Sequence, residues 1–128
     1  MHCRLSLLLV ATGATPLAAQ DMGTQLRTDV EYARYSACVT GKANELNQAD
    51  ETVESTVRAA ALNCDKTQFD LDWAIIQQVQ QEIWKEGPAA ISKEVRKRKE
   101  EMHGRASDEA TVRLFDRRAK VQKNARNQ

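Results

Sequence analysis

The chain is poor in the residues that usually carry chemistry. It has two histidines and three cysteines, and no HExxH, no CxxC, no nucleophile elbow and no glycine loop shaped for phosphate. The only histidine beyond the second residue is His103, beside Gly104 in a charged segment, where it reads as a solvated surface residue. No cofactor and no catalytic residue is expected, and the chain does not read as an enzyme. Glycine occurs five times and proline twice, and Pro88 is the only proline after Pro16. With abundant Ala, Gln, Glu, Lys and Arg, that scarcity argues for an all-α chain. No stretch alternates apolar and polar residues long enough to read as a strand. Long apolar runs are missing too. The one that exists, Leu5 to Ala14, is shorter than the roughly 20 residues needed to span a bilayer.

That run has another reading. Arg4 precedes it, and Ala18-Ala19 follows with small side chains, which is the pattern of a secretory signal peptide over residues 1–19. Cleavage after Ala19 removes Cys3 and leaves 109 residues, two cysteines and no transmembrane segment. The periplasm or the exterior is the expected location, where two thiols can oxidise to one bridge. Cys38 and Cys64 each lie 13 positions from Glu51. Two antiparallel helices joined at Asn47–Glu51 would bring them level. Residues 20–86 are therefore read as a disulfide-linked helical hairpin, and residues 87–128 as a basic helical tail.

Thr28-x-x-Glu31 reads as a capping box opening the first helix, which runs to about Leu46. Val30, Ala33, Ala37 and Gly41 form a small-residue stripe suited to close helix contact. Tyr32, Tyr35, Val39 and Leu46 form a bulkier face. Asp50 is the expected N-cap of the second helix. A break at Asp65–Thr67 is conceivable, with Thr67 as a fresh cap. Without Gly or Pro there, one continuous helix to Glu86 is the preferred reading. Gly87-Pro88 then starts a third helix to about Met102, with Ile91, Val95 and Met102 as a narrow stripe. Gly104 interrupts it. Ser107 caps a fourth helix with Val112, Phe115 and Ala119 on one side, and Lys123–Gln128 reads as disordered.

A first helix of roughly 29 Å cannot cover a second of roughly 54 Å. Leu71, Ile75, Ile76, Val79, Ile83 and Trp84 are thus expected to need a cover, either the third helix or a second copy of the chain. Gln77, Gln78, Gln80 and Gln81 flank this stripe without charge, as a helix–helix interface or a plain helix surface would.

Charge is unevenly shared. Gln20–Trp84 holds five basic and eleven acidic residues, and Lys85–Gln128 holds thirteen basic and seven acidic. Arg96-Lys97-Arg98-Lys99 reads either as a patch for an anionic surface or as a solvated helix face paired with Glu94, Glu100 and Glu101. Nucleic acid is disfavoured by the export pattern and by the lack of interleaved aromatics. Asp65, Asp70 and Asp72 read as solvated surface rather than a cation site. With seven large apolar residues, the tail is expected to be the more mobile half, held largely by charge.

Tyr35, Cys38 and Val39, followed by Ala60, Ala61 and Cys64, resemble a pattern in small uncharacterised secreted helical proteins of Gram-negative bacteria. The resemblance spans about 30 of the 128 residues. It implies a periplasmic setting and no particular activity. Glu45-Leu46-Asn47 is similar to a run in secreted lysozyme-inhibitor-like helical domains. The aromatic-Arg-Cys ending of that group is missing, so no site residue carries over. The expected function is a binding or structural role in the cell envelope, toward itself (a homodimer) or an envelope protein. The alternatives are an inhibitor of an exported enzyme such as a lysozyme, or a small helical enzyme.

Overall fold

The computed structural model describes residues 17–128, and all of its long elements are helices. They are α1 (Leu17–Glu45), α2 (Val53–Leu62), α3 (Asp65–Ile83) and α4 (Pro88–Arg126), with a 3-10 turn at Trp84–Glu86. No strand occurs among the described residues. Apart from Leu17–Ala19, the signal-peptide reading falls outside them.

The first helix starts well before the expected capping box. Thr28 is fully buried mid-helix, and its hydroxyl donates to the Thr24 carbonyl at 3.0 Å. Glu31 does not reach back to a cap but pairs with Arg34 at 3.0 Å. Residues 20–27 contain no proline, so nothing local stops the helix there. The cap of α2 is Thr52, not Asp50. Its hydroxyl oxygen accepts from the Ser55 N–H at 3.1 Å, and its backbone is extended, as an N-cap requires.

The expected continuous second helix is two helices. The turn tightens at Asn63 and Cys64, whose N–H groups bond the Ala60 and Ala61 carbonyls three residues back. The Asn63 side chain donates to the Ala59 carbonyl at 2.8 Å, and the Thr67 hydroxyl donates to the Cys64 carbonyl at 3.1 Å. These bonds take up backbone groups that the break would orphan. The disulfide Cys38–Cys64 sits at this break, with Cα atoms 6.0 Å apart. That is closer than the roughly 8–10 Å between packed helix axes, so the chain turns inward at Cys64 to reach α1.

The opposite correction applies at the C-terminal end. Two expected helices are one, running through Gly104 and Ser107. A glycine inside a helix costs only about 1 kcal/mol. The seam on either side of it, Ile91, Val95 and Met102, then Ala106, Ala110 and Leu114, packs on the core and offsets that cost. Val112, Phe115 and Ala119, expected on one side of a fourth helix, are all exposed. Lys123–Arg126, expected to be disordered, is the last turn of α4.

Cross-links set the directions. Cys38 meets Cys64 and Arg27 meets Gln77, so α1 runs antiparallel to α2 and α3. Glu82 meets Arg98 and Asp72 meets His103, so α4 runs antiparallel to α3 and alongside α1. The core lies between them: Tyr35, Val39 and Ala43; Val53, Val57 and Ala60; Leu71, Ile75 and Val79; Ala106, Ala110 and Leu114. The small stripe on α1 is not the contact face. Val30 is 41% exposed, and a Cβ on Gly41 would meet nothing within 4 Å. Helices pack here through the face with larger side chains, because that face buries more apolar area.

Candidate interaction surface

The residues expected to form one association surface divide between two faces of α3. Leu71, Ile75 and Val79 are fully buried beneath α1 and α4. Ile76 and Ile83 are half-buried, and Trp84, in the 3-10 turn after α3, is 65% exposed. The cover comes from both neighbours. α1, longer than expected at its N-terminal end, reaches Gln77 through Arg27 (2.9 Å) and Gln78 through Gln25.

The outward face of α3 carries what the reading of that surface left aside. Phe69 is 69% and Trp73 48% exposed. At 100° per residue, Phe69, Trp73, Ile76 and Gln80 fall within a stripe about 60° wide, and Trp84 follows in the 3-10 turn beyond the helix. Both tryptophans and both phenylalanines of the chain are exposed, two of them in this stripe and Trp84 in the turn just beyond it. The core uses Val, Ile, Leu, Ala and Tyr35 instead. The signal was in the sequence as the four-residue step from Phe69 to Trp73, opposite Leu71, Ile75 and Val79.

A groove flanks the stripe on each side. One, of about 460 Å³ between α3 and α4, is lined by Gln68, Ser92, Val95, Arg96, Lys99, Glu100 and His103. The other, between α1 and α3, is lined by Thr24, Arg27, Gln77, Gln80, Gln81 and Trp84.

The basic run at 96–99 does not form one patch, because four consecutive residues fan around a helix. Arg98 bonds Glu82 at 2.5 Å and Glu94 at 2.9 Å, Lys99 bonds Asp72 at 2.7 Å, and Lys97 stands 3.9 Å from Glu101. Arg96 is exposed on the groove. Two of the four therefore work as inter-helix ties.

His103 is one of these ties as well, not a free surface residue. Its Nε2 lies 2.9 Å from Asp72, and its ring packs 5.3 Å from that of Tyr35, so α1, α3 and α4 meet there. Burial, then the Asp72 charge, raises the Tyr35 hydroxyl above its ordinary value. Of the expected carboxylate cluster, Asp72 belongs to this tie and Asp70 pairs with Lys66 at 3.1 Å. No group of three or more candidate metal ligands occurs among the described residues.

Two further knots hold α4 in place. Glu109 accepts from the Tyr32 hydroxyl at 2.8 Å and from Ser36 at 2.7 Å on α1, and from Arg105 at 3.1 Å on its own helix. The guanidinium of Arg105 lies over the Tyr32 ring, 4.6 Å from its centre. The bonds from Ser36 and Tyr32 hold the Glu109 carboxyl below the usual carboxylate range. Burial, followed by the Glu109 carboxylate, pushes Tyr32 up to about 12. The bond from Arg98 holds Glu82 low in the same way. At the far end, Arg118 donates to Asn47 Oδ1 (2.7 Å) and to the Glu51 and Gln48 carbonyls (2.7 and 2.9 Å), clamping the loop between α1 and α2.

These polar clusters spend their hydrogen bonds within the chain. Trp84 has the Lys85 ammonium 5.5 Å from its ring centre, and the outward Phe69 and Trp73 on α3 are the feature that asks for a partner. No helix among the described residues is long and apolar enough to cross a membrane. No protein-family model, curated protein or solved structure matches the chain.

Proposed function

We propose that this chain is a small exported helical binding module of the cell envelope, acting through the outward face of α3. One observation carries the reading. Phe69 and Trp73 are exposed on one side of a helix whose other side is buried, and Trp84 is exposed in the turn that follows it. Three large rings left in water cost hydrophobic free energy that a partner would recover. The working unit is a disulfide-stapled antiparallel hairpin of α1 against α2–α3, with α4 as its brace. Export is supported by the Arg4–Ala19 pattern and by the Cys38–Cys64 bridge, which suits an oxidising compartment. The pattern of Tyr35, Cys38 and Val39 with Ala60, Ala61 and Cys64 supports the same periplasmic setting. The role is non-catalytic.

A photo-crosslinking side chain at Gln80, in the full chain produced in an exporting host, tests this. A discrete protein adduct at position 80, absent when the group replaces Lys120 on α4, is the expected result. No adduct from position 80 would reject the reading.

A further inference from the structure

We propose that the groove between α1 and the end of α3 binds a neutral saccharide, with Trp84 stacked on a sugar ring and the amides of Gln77, Gln80 and Gln81 bonded to its hydroxyls. This site goes beyond the protein-facing reading above and does not depend on Phe69. The groove has a volume of about 670 Å³, within the range of small-ligand sites. From Gln77 to Trp84 it runs roughly 10 Å, room for a disaccharide unit. Ile83 leaves helical geometry (φ −127, ψ 25), so the 3-10 turn, and not α3 itself, places Trp84 beside Gln80 and Gln81. The indole is 65% exposed. Lys85 stands over one of its two faces, 5.5 Å from the ring centre.

The lining selects the class of ligand. Three of the six side chains are amides, and the others are the Thr24 hydroxyl, the Arg27 guanidinium and the indole. Among the described residues no carboxylate lines the groove. Each Gln offers two N–H donors and a carbonyl acceptor, and a sugar hydroxyl likewise donates and accepts. These amides are unspent. Gln80 and Gln81 make no hydrogen bond within the described chain. The Gln77 oxygen accepts from Arg27 at 2.9 Å, which leaves its NH2 group to donate. Gln25 and Gln78, on the same two helices, bond each other instead. The negative face of an indole suits the C–H face of a pyranose, whose hydrogens carry slight positive charge. Other small ligands fit less well. An anion would find a single guanidinium, already bonded to Gln77, where anion sites gather several charged donors or backbone N–H groups. An apolar ligand would need a mostly apolar lining, and Trp84 is the one large apolar group here.

Trp73→Phe leaves Trp84 as the only tryptophan, so its emission then reports the groove. Titrating that full chain with cellotetraose or chitotetraose should give a saturating change in emission. Gln80→Ala/Gln81→Ala alters exposed side chains only, so it should melt as the parent does. It should bind sugar at least about tenfold more weakly, as the loss of two or more hydrogen bonds implies. Trp84→Ala should abolish binding in calorimetry, and Phe69→Ser should leave it unchanged. No saturating response to either sugar overturns the proposal. Binding that survives Trp84→Ala or the Gln pair intact overturns it as well, because the sugar then sits elsewhere. An equal response to inorganic phosphate would mark Arg27 as an anion site and overturn the saccharide as ligand. The position-80 adduct tests the protein-facing reading separately, so either can fail without the other.

Discussion

At the scale of single residues, the carboxylates that tie α4 down set an acid limit. Glu82 and Glu109 are held below their ordinary value of about 4.5 in the folded protein and return to it when it unfolds. The folded state therefore binds fewer protons. Their stabilisation is complete above the unfolded value and is lost as pH falls through the folded one. The melting temperature is expected to hold steady from about pH 7 to 5 and to drop below about 4.5, and Glu82→Gln with Glu109→Gln should flatten that drop. Tyr32 acts with the opposite sign. Its folded value of about 12 lies above the unfolded 10.0, so its contribution is present below 10.0 and fades toward 12. In the core, Leu71 is fully buried where α3 faces its neighbours. Leu71→Ala leaves a cavity there and should cost about 2–5 kcal/mol in denaturant unfolding.

At the scale of the element, two glycines should respond to alanine with opposite signs. Gly104 lies inside α4, and an added Cβ would meet nothing within 4 Å. Gly104→Ala should stabilise by about 0.4–1 kcal/mol, chiefly by narrowing the unfolded ensemble. Gly87 opens α4 at φ +90, where a side chain is strained, so Gly87→Ala should destabilise by about 1–2 kcal/mol although space is free. Thermal melts of the pair decide this. The break between α2 and α3 is held by the bridge, which closes a sequence separation of 26. Cys38→Ala should cost roughly 2–5 kcal/mol. Reductant should lower the parent's melting temperature toward that of the variant and leave the variant unchanged.

At the scale of the whole molecule, α4 decides whether there is a closed core. It packs against every other helix and supplies Ala106, Ala110 and Leu114 to the interior. A tail held by charge alone would loosen in salt, because screening shortens from about 10 Å at 0.1 M to about 3 Å at 1 M. A tail held by an apolar seam would not. Amide protection over 102–114 is therefore expected to match that of α3 at both salt concentrations. Residues 119–126 have only exposed side chains and should exchange faster. Truncation after Glu86 should uncover Leu71, Ile75 and Val79 and cause aggregation, visible by light scattering. A soluble, protected fragment would show that α1 alone covers α3.

The sequence by itself determined the helical class, the positions of the turns near residues 47–51 and 87–88, and the pairing of the two cysteines. Local propensity, glycine and proline placement and thiol arithmetic act over short range or need no partner. Only the tertiary structure decided which helix face points inward. Val30, Ala33, Ala37 and Gly41 looked like a seam by size, while Tyr35, Val39 and Ala43 became one because α2 and α4 fill against them. It also decided where helices end. Thr28 and Ser107 have the chemistry of caps, but a cap forms only where the helix stops, and packing on both sides carried the helix through them. Cys64, with neither Gly nor Pro beside it, became a break because the bridge to α1 drew it inward. The outward rings of α3 were legible as spacing. Their exposure was not, because α3 is apolar on both sides and its sequence does not say which side its neighbours will cover.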